Sequence, residues 1–308
     1  DFECFDEVLE AYQTQLEYFL DLKVAGNNVN ERLYAANMPT PMMSILVDDC
    51  VERGLDYHDG GPRYNPTYIQ GVGIGTLADA LAAIKLHVFE EKTVSWTGLL
   101  EAMRADFEGH ETLRLTLMNR TPKYGNDDPY VDSLVEKLFD INYNALNGRP
   151  NTKGGDYRIN LLPTTSHIYF GSIIGALPNG RKAGVPISDG ISPSQGIALE
   201  GPTAIIKSAA RIDHARTCGT LLNLRFSPDL FNNGGIEHLC HLVRAYFKLG
   251  GHHIQFNVFD EKVLLEAQVH PEKHQDLIVR VAGFSDYFID IGRELQDEII
   301  ARTELNAF

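Results

Sequence analysis

At residue 157 the texture of this chain changes. Before it, apolar residues recur at helical spacing over long stretches, as at Phe5, Val8, Leu9, Tyr12, Leu16, Phe19 and Leu20. After it, short apolar runs such as Ile159–Leu162 and His167–Phe170 alternate with glycine and proline, as strands and turns do. The spacing predicts helices over 1–26, from Pro39-Thr40-Pro41 to Gly54, and over Leu77–Val88 and Trp96–Phe107. Two more are expected over Val131–Leu146 and Leu239–Phe247, with strands over Ile254–Val258 and Leu277–Val281. Helices alternating with short apolar strands predict an α/β fold.

The 308 residues suffice for one large domain or two small ones. Asp and Glu number 42 against 27 Lys and Arg, a net charge of −15. Such a balance argues against nucleic acid or an anionic membrane as partner, since both need clustered positive charge. No run of about 18 apolar residues is present, so no membrane span is expected. Cys4, Cys50, Cys218 and Cys240 lack CxxC spacing, which fits free thiols in a reducing cytoplasm. The chain opens Asp1-Phe2-Glu3 without an initiator Met, and the expectation is a fragment of something longer.

Several constellations invite a functional reading and have a plainer one. Gly71-Val72-Gly73-Ile74-Gly75-Thr76 precedes a helix but lacks the residues of a P-loop or dinucleotide fingerprint. Close backbone packing with Thr76 as N-cap is the stronger expectation. His252-His253 sit side by side on a strand edge and point to opposite faces, so no metal site is expected there. Tyr157-Arg158-Ile159-Asn160-Leu161-Leu162-Pro163-Thr164-Thr165 puts polar and apolar side chains on alternate faces. An ion pair is an equally good account of Arg158.

The run Leu277-Ile278-Val279-Arg280-Val281-Ala282-Gly283-Phe284-Ser285 carries most. A strand-like approach ends in Ala-Gly, and only glycine gives the backbone free access to positive φ and close approach. A glycine α-carbon can also flatten and share an unpaired electron between two amides. Alone, such a turn is an ordinary strand end. Its surroundings say otherwise.

The order HHIQFNV, RVAGFSDYF, LQDEIIARTE resembles the C-terminal domain of glycyl radical enzymes, the superfamily of pyruvate formate-lyase. Upstream, GGPRYN, YIQGVGIGT, PKYGNDD and PNGR follow in the family's order, so the resemblance covers essentially the whole chain. It implies that Gly283 stores the radical; Phe284 stands where the family usually has Tyr. It further implies the second half of a ten-stranded α/β barrel with surrounding helices. Residues 1–180 would be the C-terminal part of the barrel domain and 181–308 the glycine radical domain.

Arg158, Asn160, Leu162 and Thr164 lie where the family lines its substrate cavity. Cys50-Val51-Glu52 looks like the family's Gly-Cys-Val-Glu motif, but it follows Asp48-Asp49 within helical periodicity. A small buried core residue is the reading for Cys50, which leaves the catalytic Cys to a missing N-terminal half. The resemblance also implies no bound cofactor, a radical installed by a radical SAM activating enzyme, a small-molecule substrate, a homodimer and an anaerobic cytoplasm. Within the superfamily the wording is most similar to the hydroxyproline dehydratase branch. Formate acetyltransferase, isethionate sulfite-lyase and arylacetate decarboxylase branches are the alternatives, as is a non-catalytic chain that supplies a radical to another.

Overall fold

The computed structural model describes residues 2–162 and 164–307. The chain begins α1 (Phe5–Asn37), α2 (Pro41–Leu46), α3 (Cys50–Arg53), β1 (Thr67–Gln70), α4 (Ile74–Ile84). It continues α5 (Trp96–Arg104), α6 (Glu111–Arg120), α7 (Pro129–Leu146), β2 (Tyr157–Asn160), α8 (Ser166–Ile173), α9 (Gly201–Ala209). The last third is β3 (Leu222–Phe226), α10 (Gly235–Lys248), β4 (Ile254–Val258), α11 (Glu261–Val269), β5 (Ile278–Arg280), β6 (Ser285–Tyr287), α12 (Arg293–Ala301) and β7 (Glu304–Leu305). The class is α/β, as expected. The described strands pair as sheets of two, three and two strands.

Two compact units divide the chain: a smaller one of Phe2–Ile69 and Phe139–Asn160, and a larger one of Gln70–Leu138 and Leu161–Phe308. In the smaller unit the sequence expectations need correction. Helix α1 does not stop at Gly26 but runs on to Asn37. An isolated glycine costs a helix only about 1 kcal/mol, and nothing there demands a left-handed residue. Asp1, where that helix was expected to begin, lies outside the described residues.

The helix expected from Pro39 to Gly54 breaks into α2 and α3. Val47 is extended and Asp49 takes φ +76, a conformation aspartate tolerates better than most residues. Arg63 grips the Asp49 carboxylate with two hydrogen bonds of 2.8 and 3.2 Å, which fixes the break. Ile45, Leu46 and Val51, the apolar residues of this stretch, are exposed. Cys50 is buried, as expected.

The larger unit is organised by a parallel sheet in the order β4-β3-β7. Its central strand is buried along its whole length, the pattern of a strand covered on both faces. Residues 167–170, expected as a strand, are helical in α8, because a four-residue apolar run carries no periodicity that separates the two states. Helix α4 starts at Ile74 with Gly73 as N-cap at φ +83, so Thr76 is not the cap. It lies one turn in, accepting from the Ser188 amide at 2.8 Å while its own amide donates to Ser188 Oγ at 3.0 Å. The close packing expected of this glycine-rich stretch is present: a Cβ on Gly75 would stand 3.0 Å from Ser192 O.

Candidate radical loop

Strands β5 and β6 form an antiparallel hairpin with Arg280 opposite Ser285 and Val279 opposite Asp286. The four residues Val281–Phe284 make its tip, closed by the Val281 amide donating to Phe284 O at 2.9 Å. Val281 and Ala282 are buried in a cluster with Val279, Phe288, Ile299 and Leu264. Full burial of a valine, leucine, isoleucine or phenylalanine side chain stabilises by about 1.5–3 kcal/mol, so Val281 and its apolar neighbours anchor the base of the loop. Gly283 and Phe284 emerge from it, exposed. Gly283 has φ +80, and a Cβ built there meets no atom within 4 Å. The apex therefore combines a glycine-favouring backbone with open approach to the α-carbon.

The loop is gripped from two sides. From β4, the Gln255 side chain accepts the Gly283 amide at 3.0 Å and donates to Val281 O at 3.3 Å. Asn257, two residues on and on the same face, donates to Arg280 O at 2.8 Å and accepts from the Arg280 amide at 2.9 Å. That reciprocal pair replaces a strand neighbour for β5. In β4 the buried positions are these two amides, while Ile254 and Phe256 are only partly covered.

From the chain's end, both terminal nitrogens of Arg302 stand 3.3 Å from Val281 O. Arg302 is held by the Glu298 carboxylate, with contacts of 3.1, 3.2 and 2.9 Å. Both groups are buried. Burial alone would raise the Glu298 carboxyl, but the Arg302 guanidinium and His167, 3.3 Å away, hold it below the ordinary glutamate range. Burial likewise opposes the charge on Arg302, and Glu298 and Asp189 outweigh it.

Of the other site candidates, Arg158 and Asn160 belong to the smaller unit and Leu162 and Thr164 to the larger. Arg158 is half-exposed and ion-paired to Asp156 at 3.1 Å. Asn160 lies on the same face of β2, opposite to the buried Tyr157 and Ile159, with its Oδ1 buried and without a hydrogen-bond partner. Leu162 packs against the cluster beneath the hairpin, and Thr164 is exposed at φ +55. A separate groove of about 1050 Å³ in the larger unit is lined by Asp79, Lys123, Asn126, Arg181 and Lys207 among others, but by neither Gly283 nor Gln255. Burial pushes Asp79 up to about 7 and pulls Lys123 down.

Gln255, Asn257, Arg302 and Glu298 were not singled out as loop partners from sequence. The available signal was polar residues at alternate positions of an apolar strand, and Glu and Arg one turn apart before the chain's end.

The pyruvate formate lyase-like family model matches residues 1–171, and the glycine radical model matches residues 187–289, which contain this hairpin. The chain belongs to the glycyl radical enzymes. It is 54% identical over 305 residues to the trans-4-hydroxy-L-proline dehydratase of Clostridioides difficile, covering 99% of this chain and 39% of that protein. The crystal structure of that dehydratase with trans-4-hydroxy-L-proline bound superposes with a TM-score of 0.97, covering 100% of this chain and 39% of the other. The glycerol-bound B12-independent glycerol dehydratase of Clostridium butyricum is 40% identical with a TM-score of 0.96, covering 100% and 39%. The isethionate sulfite-lyase of Oleidesulfovibrio alaskensis is 36% identical over 314 residues, covering 99% and 38%. The chain thus spans about two fifths of the length of the relatives it matches.

Proposed function

We propose that this chain forms the radical-storing part of a glycyl radical dehydratase, with Gly283 as the radical's seat and a hydroxyproline-type substrate. The observation that carries the reading is the loop itself. A lone glycine with an unobstructed α-carbon stands on a hairpin whose base is locked by buried side chains. The dehydratase branch is favoured over the sulfite-lyase branch by 54% against 36% identity.

Activation removes one hydrogen atom from the Gly283 α-carbon; a radical SAM activating enzyme is the proposed agent. The resulting carbon radical takes a hydrogen atom from a cysteine thiol, which restores the glycine and leaves a thiyl radical. The thiyl takes a hydrogen atom from a substrate carbon. The substrate radical then sheds its hydroxyl group with a proton as water, and the product radical recovers a hydrogen atom from the thiol. Because Gly283 is exposed on these residues, we place the relay cysteine and the rest of the water-excluding cavity in protein beyond them. Arg158, Asn160, Leu162 and Thr164 are proposed as cavity-side residues, with Asn160 the strongest for its unpartnered buried oxygen. The ten-stranded barrel, the division near residue 180 and a homodimer belong to the same proposal.

The test is anaerobic activation of the full-length protein with its activating enzyme. A doublet EPR signal should appear and collapse to a singlet when glycine deuterated at the α-carbon is incorporated. Gly283→Ala should abolish it. A doublet surviving that substitution would remove Gly283 from the mechanism.

A further inference from the structure

We propose that Gln255 is a positioning residue for the radical, held by a directional relay of side chains that runs from Asp189 through Asn223 to the Gly283 amide. This rests on the reading of Gly283 as the radical's seat. Strands β3 and β4 pair in parallel with Asn223 beside Gln255, so both amide side chains leave the sheet on one face. An amide side chain is ambiguous by itself, since either end fits many partners. Here the chain of contacts removes the ambiguity.

Asp189 offers only oxygen, so Asn223 must turn its NH2 toward it. That leaves Asn223 Oδ1 to receive the Gln255 NH2, which also reaches Val281 O at 3.3 Å. The Gln255 oxygen is thereby committed to the loop, where it accepts from the Gly283 amide at 3.0 Å and from Arg280 Nε at 3.3 Å. Asp189, Asn223 and Gln255 are all buried, where a satisfied polar chain is stiff and a broken one is costly. The Asn223 backbone amide is tied too, donating to Ser192 Oγ at 3.0 Å.

The consequence is electronic as well as geometric. An unpaired electron on the Gly283 α-carbon is shared with the nitrogen only while the Ala282–Gly283 amide plane stays aligned with the flattened carbon. An acceptor fixed on that N–H holds the plane and draws electron density onto the nitrogen, strengthening its donation to the radical. Gln255 touches neither substrate nor the reacting hydrogen; it acts through the amide.

The experiment uses the full-length protein with Gln255→Leu and Gln255→Glu, the second keeping an oxygen at the same reach. In the unactivated protein, hydrogen–deuterium exchange at the Gly283 amide should quicken about fivefold in Gln255→Leu, the size of one lost hydrogen bond, and less in Gln255→Glu. After anaerobic activation, Gln255→Leu should show a wider EPR doublet and about fivefold less spin per chain, with Gln255→Glu closer to the parent. Parent-like exchange, splitting and spin in a folded Gln255→Leu protein would overturn the proposal. Faster exchange without any doublet in the unaltered protein would instead strike the Gly283 reading, leaving the relay as structure only, and the tuning of a radical would fall with it.

Discussion

At Gly283 a methyl group meets open space but the wrong backbone. The position has φ +80 and no neighbour within 4 Å of a Cβ, so Gly283→Ala should cost only the left-handed strain, about 1–2 kcal/mol. Gly171 is the opposite case, since its Cβ would stand 2.5 Å from Val185 O and 2.6 Å from Pro186 Cα. Gly171→Ala should therefore unfold the protein at a melting temperature many degrees lower, while Gly283→Ala shifts it by a few. Thermal unfolding of the two variants side by side decides it; equal losses would contradict the geometry. The glycine at 283 was legible in the sequence because its neighbours form a recognisable run. Gln255 was not, because what its side chain reaches lies 28 positions away and depends on the pairing of β4 with β3.

At the level of elements, α12 meets the hairpin through Ile299 in the shared cluster and through Arg302, whose guanidinium reaches Val281 O while Glu298 neutralises it. Arg302→Ala would leave the Glu298 carboxylate buried without its main partner, a loss of about 3–5 kcal/mol, read as a lower urea midpoint. Arg302→Lys should recover little, since a lysine cannot supply the forked contacts to Glu298 and Val281 O. The Glu298 carboxyl is held below its unfolded value of 4.5. Its stabilisation is thus present above about pH 4.5 and lost as pH falls below that toward the depressed folded value. In Arg302→Ala this acid-side dependence should shrink, and an unchanged acid limb would dismiss the pair as its source. Elements with sustained periodicity, such as α7 and α10, lie close to their expected ranges. Among short ones β4 matches its expected range, but α2 and α3 part where Asp49 and Arg63 meet, and residues 167–170 coil into α8.

For the molecule as a whole, the buried carboxyl of Asp79 sets a second pH limb. Its amide-bound oxygen receives the Tyr124 N–H at 2.8 Å, and burial pushes it from 3.8 up to about 7. Between those values the folded chain binds more protons than the unfolded one, so stability is greatest below about pH 4 on this account and declines as pH rises to about 7. Asp79→Asn should flatten that decline in melting temperature between about pH 4 and 7, and an undiminished slope would assign it elsewhere, with Asp132, raised to about 6, the next group to substitute. The sequence by itself determined the α/β class, the family and the glycine on which the proposed chemistry turns, because each resides in local periodicity or in a contiguous run of residues. Only the tertiary structure decided which side chains hold that glycine's amide. Those contacts come from strand register, and register joins residues that no local pattern relates.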